Sequence, residues 1–214
     1  MARRCAYCGR AEVKLTTDHI IPKCLYPPSR RKRTPSLQLL TAPACDECNK
    51  GFTNDEAYFL HMLVLAGKSN AAVQELWATT MDRGLREQKD GWRRVEDVHE
   101  QMIPIATPDG ERRAVFPGND ERVMRVVKKV IRGLSYHHEL PWPVQEEQVC
   151  ADVLKCVLPQ ELLDIMQPEY HVEEDVFRCR YGIPNCPGFH SVWVLTFFDR
   201  TIFLGAVTAS AGAR

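Results

Sequence analysis

The sequence lacks any long apolar run and any net charge. No stretch approaches the roughly 20 consecutive apolar residues of a membrane-spanning helix, so we expect no contact with a membrane. The 28 basic and 28 acidic side chains cancel, so the chain as a whole is neither a polycation nor a polyanion. Internal repeats and low-complexity segments are also missing, which argues against a solenoid or a disordered polymer. The first four residues carry no secretory signal, and we expect a cytoplasmic protein.

The neutral total hides a division of charge along the chain. Residues 1–54 hold ten basic and four acidic side chains, a net charge of +6, so the remainder carries −6. The positive charge that attracts a polyanion therefore lies in the N-terminal quarter of the protein. At 214 residues, with 44% hydrophobic content, the chain can bury a core of ordinary size.

Two Cys-x-x-Cys pairs lie in this N-terminal quarter. The first is Cys5 with Cys8, and the second is Cys45 with Cys48. Each pair can present two thiolates to one tetrahedral zinc ion. The 36 residues between the pairs exceed the usual ribbon spacing, so that loop must carry structure of its own. A zinc site with no chemistry, or disulfides, would explain the cysteines too, although nine cysteines without a secretory signal favour thiols.

A short polar motif lies between the two cysteine pairs. Asp18-His19-Ile20-Ile21-Pro22 follows the alternating, β-branched run 13–17, which predicts a strand that ends near His19. We predict a return strand over 37–41 and one or two helical turns over 45–52. Such a β-hairpin with a helix would bring His19, Gln38 and Asn49 towards one cleft.

At these residues the chain resembles the HNH endonucleases, the ββα-metal nucleases. The matching residues are the first cysteine pair, Asp18 to Lys23, and the run from Leu37 to Phe52 that contains the second pair and Asn49. The resemblance covers about a quarter of the chain. It implies that His19 is the general base and that Asp18 and Asn49 hold a catalytic divalent ion, Mg²⁺ or another. It also implies that Gln38 orients the histidine, at a position where the family has asparagine.

The residue types suit hydrolysis of a phosphodiester. A neutral imidazole can accept the proton of an attacking water, and hard oxygen ligands suit Mg²⁺. Thiolates select zinc instead, so the sequence predicts a structural zinc and a separate catalytic ion. We predict double-stranded DNA as the substrate, and a homodimer that cuts both strands is left open. The residues predicted to contact nucleic acid are Lys23, Arg30, Arg31, Lys32, Arg33 and Lys50.

The remainder of the chain predicts a second unit. Apolar periodicity predicts helices over 53–67, 71–85 and 120–135, and the outer face of the last carries Arg122, Arg125, Lys129 and Arg132. That basic stripe is either solvated or an extension of a DNA-binding face. Strand patterns predict a hairpin from 95–107 and 112–116, a strand over 149–157, and a meander over 176–207.

Together these patterns predict an α+β protein. A zinc-stapled ββα-metal module spans residues 1–58, and residues 59–214 form a helical segment and an α+β domain with an antiparallel meander, of unassigned function. The leading hypothesis is a DNA endonuclease. One alternative is an inactive DNA-binding protein, motivated by Gln38, and another is a structural zinc module whose C-terminal domain acts through protein contacts.

Overall fold

The computed structural model describes residues 4–31, 39–66, 70–87, 91–106, 112–115, 120–173 and 175–209. It opens with an antiparallel hairpin in which β1 (Leu15–His19) pairs with β2 (Thr41–Cys45). Two 3₁₀ turns, Lys23–Leu25 and Pro28–Arg31, belong to the connection between the strands. Helix α1 (Asp46–Lys50) begins directly after β2. The strand, strand and helix order of the N-terminal module is therefore present.

The second strand of this hairpin lies later in the chain than the sequence predicted. It spans Thr41–Cys45 instead of 37–41, and residues 37 and 38 lie outside the described part of the chain. The misleading residue was Pro43, which lacks a donor and usually ends a strand. In a two-stranded sheet each strand has a free edge, so Pro43 can lie opposite Thr17. Its carbonyl accepts a hydrogen bond of 2.7 Å from the backbone N–H of Ala6.

The helical segment follows the predicted periodicity with one exception. The predicted helices appear as α2 (Thr53–Ala66), as α3 (Ala71–Leu76) with a π-helical segment (Trp77–Met81) and α4 (Asp82–Glu87), and as α6 (Glu121–His137). The predicted strand over 95–107 is wrong in its first half, which belongs to helix α5 (Gly91–Glu100). Trp92, Val95 and Val98 recur every third residue, which is a helical spacing. None of the helices in the described ranges is long and apolar enough to cross a lipid bilayer.

Two antiparallel sheets complete the α+β fold. The short strands β3 (Ile103–Ala106) and β4 (Arg112–Val115) pair with each other. The larger sheet has the order β5-β9-β8-β7-β6, which confirms the predicted meander and adds β6, a strand that the sequence pattern missed. Its elements, with one intervening helix α7, are β5 (Val149–Val153), α7 (Gln160–Asp164), β6 (Tyr170–Glu173), β7 (Phe177–Gly182), β8 (Phe189–Phe197) and β9 (Thr201–Thr208).

Helix α6 lies between the hairpin and the large sheet. The Asp120 side chain caps it by accepting hydrogen bonds from the backbone N–H groups of Arg122 and Val123. Glycines allow close approach on two sides of the helix. A Cβ at Gly133 would lie 2.7 Å from Ile20 Cγ2, and a Cβ at Gly205 of β9 would overlap Ile131 Cδ1.

One apolar core joins these elements. Ile20 of the N-terminal module, Phe59 of α2 and Phe197 of β8 belong to the same buried cluster, and the rings of Phe59 and Phe197 meet at 5.2 Å. The cluster continues across the predicted boundary between residues 58 and 59. The division into two domains at that boundary stays a prediction.

The expectation of a solvated basic face on α6 is wrong for two of its four residues. Lys129 is 0% exposed and Arg132 is 6% exposed. The other two form ion pairs with neighbouring helices, Arg122 with Asp97 of α5 at 2.5 Å and Arg125 with Asp55 of α2 at 2.5 Å. A charged residue can be placed inside when fixed counter-charges satisfy it, and periodicity alone does not reveal such partners.

The close approach at Gly205 gives a test of this packing. We expect Gly205→Ala to lower the free energy of unfolding by about 1–3 kcal/mol, because the added methyl group overpacks the core against Ile131 Cδ1. Ile131→Val removes that atom, so the double variant should lose less stability than the two single variants summed. Urea unfolding measures the coupling. Gly84→Ala is the control, since nothing lies within 4 Å of its added Cβ, and additive losses would contradict the packing described here.

Candidate metal centre and the Asp18–His19 site

The four predicted zinc ligands converge. The Sγ atoms of Cys5, Cys8, Cys45 and Cys48 all lie within 4.8 Å of one another, and those of Cys8 and Cys45 are 3.9 Å apart. Four thiolates about 2.3 Å from a tetrahedral zinc ion would be about 3.8 Å apart, so the cluster fits that ion. All nine cysteines are free thiols, so the disulfide alternative is not the arrangement found.

Local backbone geometry brings the two cysteine pairs together. In the first pair, the Cys5 carbonyl accepts a hydrogen bond of 2.9 Å from the Gly9 N–H, and Gly9 has a φ of 71°. Only glycine adopts that left-handed conformation without strain, so the turn depends on it. In the second pair, Cys45 ends β2 and Cys48 lies in α1, so one helical turn brings both thiols to the same side.

Arg10 supplies positive charge to the thiol cluster. Its Nε donates to Cys8 Sγ at 3.2 Å and its Nη2 to Cys45 Sγ at 3.4 Å, and the same guanidinium pairs with Glu47. Burial raises the pKa of the Cys8 thiol, but hydrogen bonds from Arg10, Cys5 and Cys48 together outweigh it and lower that pKa to about 6. Outer-shell donors of this kind favour the thiolate form that binds a metal.

The first cysteine pair is anchored to the rest of the protein through its own backbone. Trp142 Nε1 donates to the Ala6 carbonyl at 2.6 Å, and Arg132 Nη2 donates to the Tyr7 carbonyl at 2.6 Å. Tyr7, between the two cysteines, is 0% exposed. The metal centre is therefore joined to α6 and to the segment that follows it.

Asp18 lies inside the protein and has a cationic partner. Its side chain is 8% exposed, and its Oδ2 atom lies 2.8 Å from the Nζ atom of Lys129. The same ammonium lies 2.5 Å from Glu56 Oε1 of α2. A buried charge is stable only when it has partners of opposite charge. Here the Lys129 ammonium forms ion pairs with two carboxylates.

His19 ends β1 at the edge of this charged cluster. Its backbone carbonyl accepts a hydrogen bond of 3.4 Å from Lys129 Nζ, while the side chain remains partly exposed. Burial lowers the pKa of the imidazole below its usual 6.5, and the positive charge of Lys23 lowers it further. The lowered pKa favours the neutral ring, which is the form that can accept a proton.

The Asn49 side chain binds the hairpin through its amide nitrogen. Its Nδ2 donates to Thr16 Oγ1 at 2.8 Å, and that hydroxyl donates to the Ala44 carbonyl at 3.0 Å. This chain of hydrogen bonds ties α1 to both strands of the hairpin. Asp18 is thus paired with Lys129, and as placed it does not offer the open carboxylate that Mg²⁺ requires, whereas Asn49 uses its amide nitrogen and not the Oδ1 atom that would bind an ion.

The predicted nucleic-acid contacts fall into three groups. Arg30 pairs with Asp175, and with Glu173 at 3.3 Å, while Arg31 donates to the Tyr26 and Cys24 carbonyls, so both guanidinium groups bind the protein itself. Lys23 and Lys50 are exposed, the latter within 2.8 Å of Asp46. Lys32 and Arg33 lie outside the described residues, as does Gln38.

Sequence reasoning missed Lys129, Glu56 and Arg10 as members of these sites. Glu56 has a helix-capping position in the sequence, and Lys129 resembles any solvated charge on an amphipathic helix. A usable signal was Gly133, four residues after Lys129, because a glycine inside a helix indicates close approach of another segment.

Comparison of the chain with protein-family models, with curated proteins and with solved structures gave no match in any of the three. The resemblance to HNH endonucleases therefore depends on the motif residues alone.

The thiol cluster predicts a zinc content that single substitutions can test. We expect one zinc per chain in the purified protein, and its loss in Cys45→Ser, because three thiolates and a hydroxyl bind zinc much more weakly than four thiolates do. Elemental analysis measures the ratio. Cys150→Ser is the matched control, since this exposed cysteine lies outside the cluster. Equal zinc in both variants would contradict the assignment.

Proposed function

We propose that this chain is a zinc-containing endonuclease of the ββα-metal type that hydrolyses DNA phosphodiesters, with His19 as the general base. The observation that supports it best is the combination of the four-thiol cluster with the hairpin and α1. His19 lies at the end of β1, partly exposed and with a depressed pKa. A structural zinc site alone requires no histidine in that state.

The proposed reaction begins with a water molecule held by the neutral imidazole. His19 accepts the proton of this water, the water oxygen attacks phosphorus, and the bond from phosphorus to the leaving ester oxygen breaks. The leaving oxygen takes a proton from solvent, so the overall change is addition of water across the ester. General-base catalysis of this kind contributes typically 10²–10⁴-fold to the rate.

Positive charge around His19 favours a polyanionic substrate. The exposed ammonium of Lys23 lies close enough to depress the His19 pKa, and Lys50 lies on the exposed side of α1. Such cations can contact backbone phosphates and release counterions. Mg²⁺, which the resemblance implies, would stabilise charge on the phosphate when bound. Because Asp18 as placed is paired with Lys129, we assign no step to that ion.

A second function is favoured by the ion pair between Asp18 and Lys129. The motif assigns Asp18 to the catalytic metal. If Asp18 always stays paired with the Lys129 ammonium, the module can bind DNA without cutting it. In that case His19 and the exposed lysines form a binding surface, and the zinc ion fixes the positions of the segments that carry it. The two functions predict different outcomes in a single assay.

Incubation of the protein with supercoiled plasmid and Mg²⁺ separates these functions. For the endonuclease we expect nicking that falls by about 10²–10⁴-fold in His19→Ala, the loss of a general base. His99→Ala, which alters an exposed histidine of α5, is the control and should nick normally. Gel shifts without nicking would support the binding protein, and neither nicking nor a shift would refute both. The zinc content of His19→Ala confirms that the variant is folded.

The pH dependence of nicking should report the His19 environment. Because only the neutral imidazole can act as a base, the rate should rise with pH and reach a plateau at high pH. The midpoint of the rise should lie below about 6.5. Lys23→Gln should move that midpoint to higher pH, since it removes a positive charge that lowers the His19 pKa.

NMR titration of the ring gives the same pKa without any cleavage. Lys14→Gln is the matched control, because Lys14 precedes the other end of β1, about 16 Å along the strand from His19. A His19 pKa above 6.5 would contradict the proposed environment. An unchanged His19 pKa in Lys23→Gln would contradict it too.

A further inference from the structure

Lys129 is the most deeply buried charged side chain near the candidate site. It is 0% exposed, and its Nζ atom has Asp18 Oδ2 at 2.8 Å, Glu56 Oε1 at 2.5 Å and the His19 carbonyl at 3.4 Å. Three oxygen atoms thus surround one positive charge. Nζ donates hydrogen bonds to Glu56 Oε1 and to the His19 carbonyl, whereas Asp18 Oδ2 is a charge partner that accepts no hydrogen bond.

Aromatic rings close the cluster on the other sides. Lys129 Nζ lies 5.7 Å from the ring centroid of Tyr7 and 5.5 Å from that of Phe52. Such faces attract cations, most strongly when water is excluded. The site therefore has the oxygen ligands, the enclosure and the ring faces that suit a single cation, and the cation that occupies it belongs to the protein.

A second cation at Asp18 would have to share its carboxylate with Lys129. Asp18 and Glu56 are both charge partners of the Lys129 ammonium. Arg132, one turn further along α6, contacts the same cysteine turn and lies 4.0 Å from Glu146. A divalent ion beside Lys129 would place like charges together where water does not screen them. The ion and the ammonium are therefore mutually exclusive at Asp18.

We propose that the Lys129 ammonium is the resident cation of Asp18 and Glu56, and that it excludes a divalent ion from the carboxylate to which the motif assigns one. Glu56 is then the second carboxylate of the cation site. This inference depends on the proposed function only in its choice of Asp18 as the metal ligand. Its test requires no DNA and no cleavage.

Mn²⁺ is a suitable probe, because it takes the same carboxylate and water ligands as Mg²⁺ and its electron paramagnetic resonance signal reports the free ion. With the full zinc-loaded chain we expect no Mn²⁺ binding that depends on Asp18. Lys129→Met keeps the length of the side chain and frees both carboxylates, so it should bind one equivalent of Mn²⁺. Asp18→Asn in the same background should abolish that binding.

Lys128→Met is the matched control, because it removes a lysine from the position directly before Lys129 in the same helix. It should behave as the natural chain does. Stoichiometric Mn²⁺ binding by the natural chain that disappears in Asp18→Asn would overturn the proposal. A folded Lys129→Met variant that binds no Mn²⁺ would overturn it too, since removal of the ammonium should open the cation site.

A second measurement avoids the risk that Lys129→Met does not fold. In NMR spectra of the natural chain, a buried ammonium should give a slowly exchanging nitrogen–proton signal, assigned by its loss in the conservative variant Lys129→Arg. We expect this signal to persist when Mn²⁺ is added. Its loss by paramagnetic broadening, or the lack of a protected lysine signal, would overturn the proposal. Failure to nick DNA would refute the endonuclease and leave these results interpretable.

Discussion

The ion pairs of Lys129 hold the N-terminal hairpin, α2 and α6 together. Asp18 comes from β1, Glu56 from α2 and the ammonium from α6, so one buried cation joins three elements that are far apart in sequence. Removing one member of a buried pair leaves an uncompensated charge and costs about 3–5 kcal/mol. That is a large share of the stability of a typical domain. The relative position of the three elements therefore depends on this contact.

The thiol cluster depends on the same helix. Arg132 lies one turn after Lys129 on α6, and its guanidinium donates to the Tyr7 carbonyl and, at 2.8 Å, to the Val144 carbonyl. Tyr7 lies between two cysteines of the thiol cluster, so that cluster and the buried cation are anchored to successive turns of one helix. Binding of zinc to this cluster should stabilise the arrangement of Asp18 and His19 as well as the cysteine turn, because ligand binding stabilises the state that contains the site.

The sequence was informative where a residue's role depends on its near neighbours. The cysteine pairs, the apolar stripe of α6 and the alternation of the meander are local patterns, and the structure follows them. It was uninformative where a role depends on a distant partner. Nothing near Lys129 in the chain reveals that Asp18 and Glu56 will meet it, and nothing near Pro43 reveals that its strand has only one neighbour. Nor does anything near Asn49 in the chain reveal that its amide nitrogen donates to Thr16.

Exchange of the cation at Asp18 would require movement of α6, and the packing of that helix opposes it. Gly133 lies against Ile20, the residue after His19, and Ile131 lies against Gly205 of the large sheet. These contacts leave no space for the helix to shift towards either neighbour, since close-packed interiors deform little. The Lys129 side chain would have to leave alone, and both carboxylates would then lose their positive partner. Asp18 therefore keeps its ammonium as long as α6 keeps its place, and the surroundings of His19 depend on the packing of a helix more than one hundred residues later in the chain.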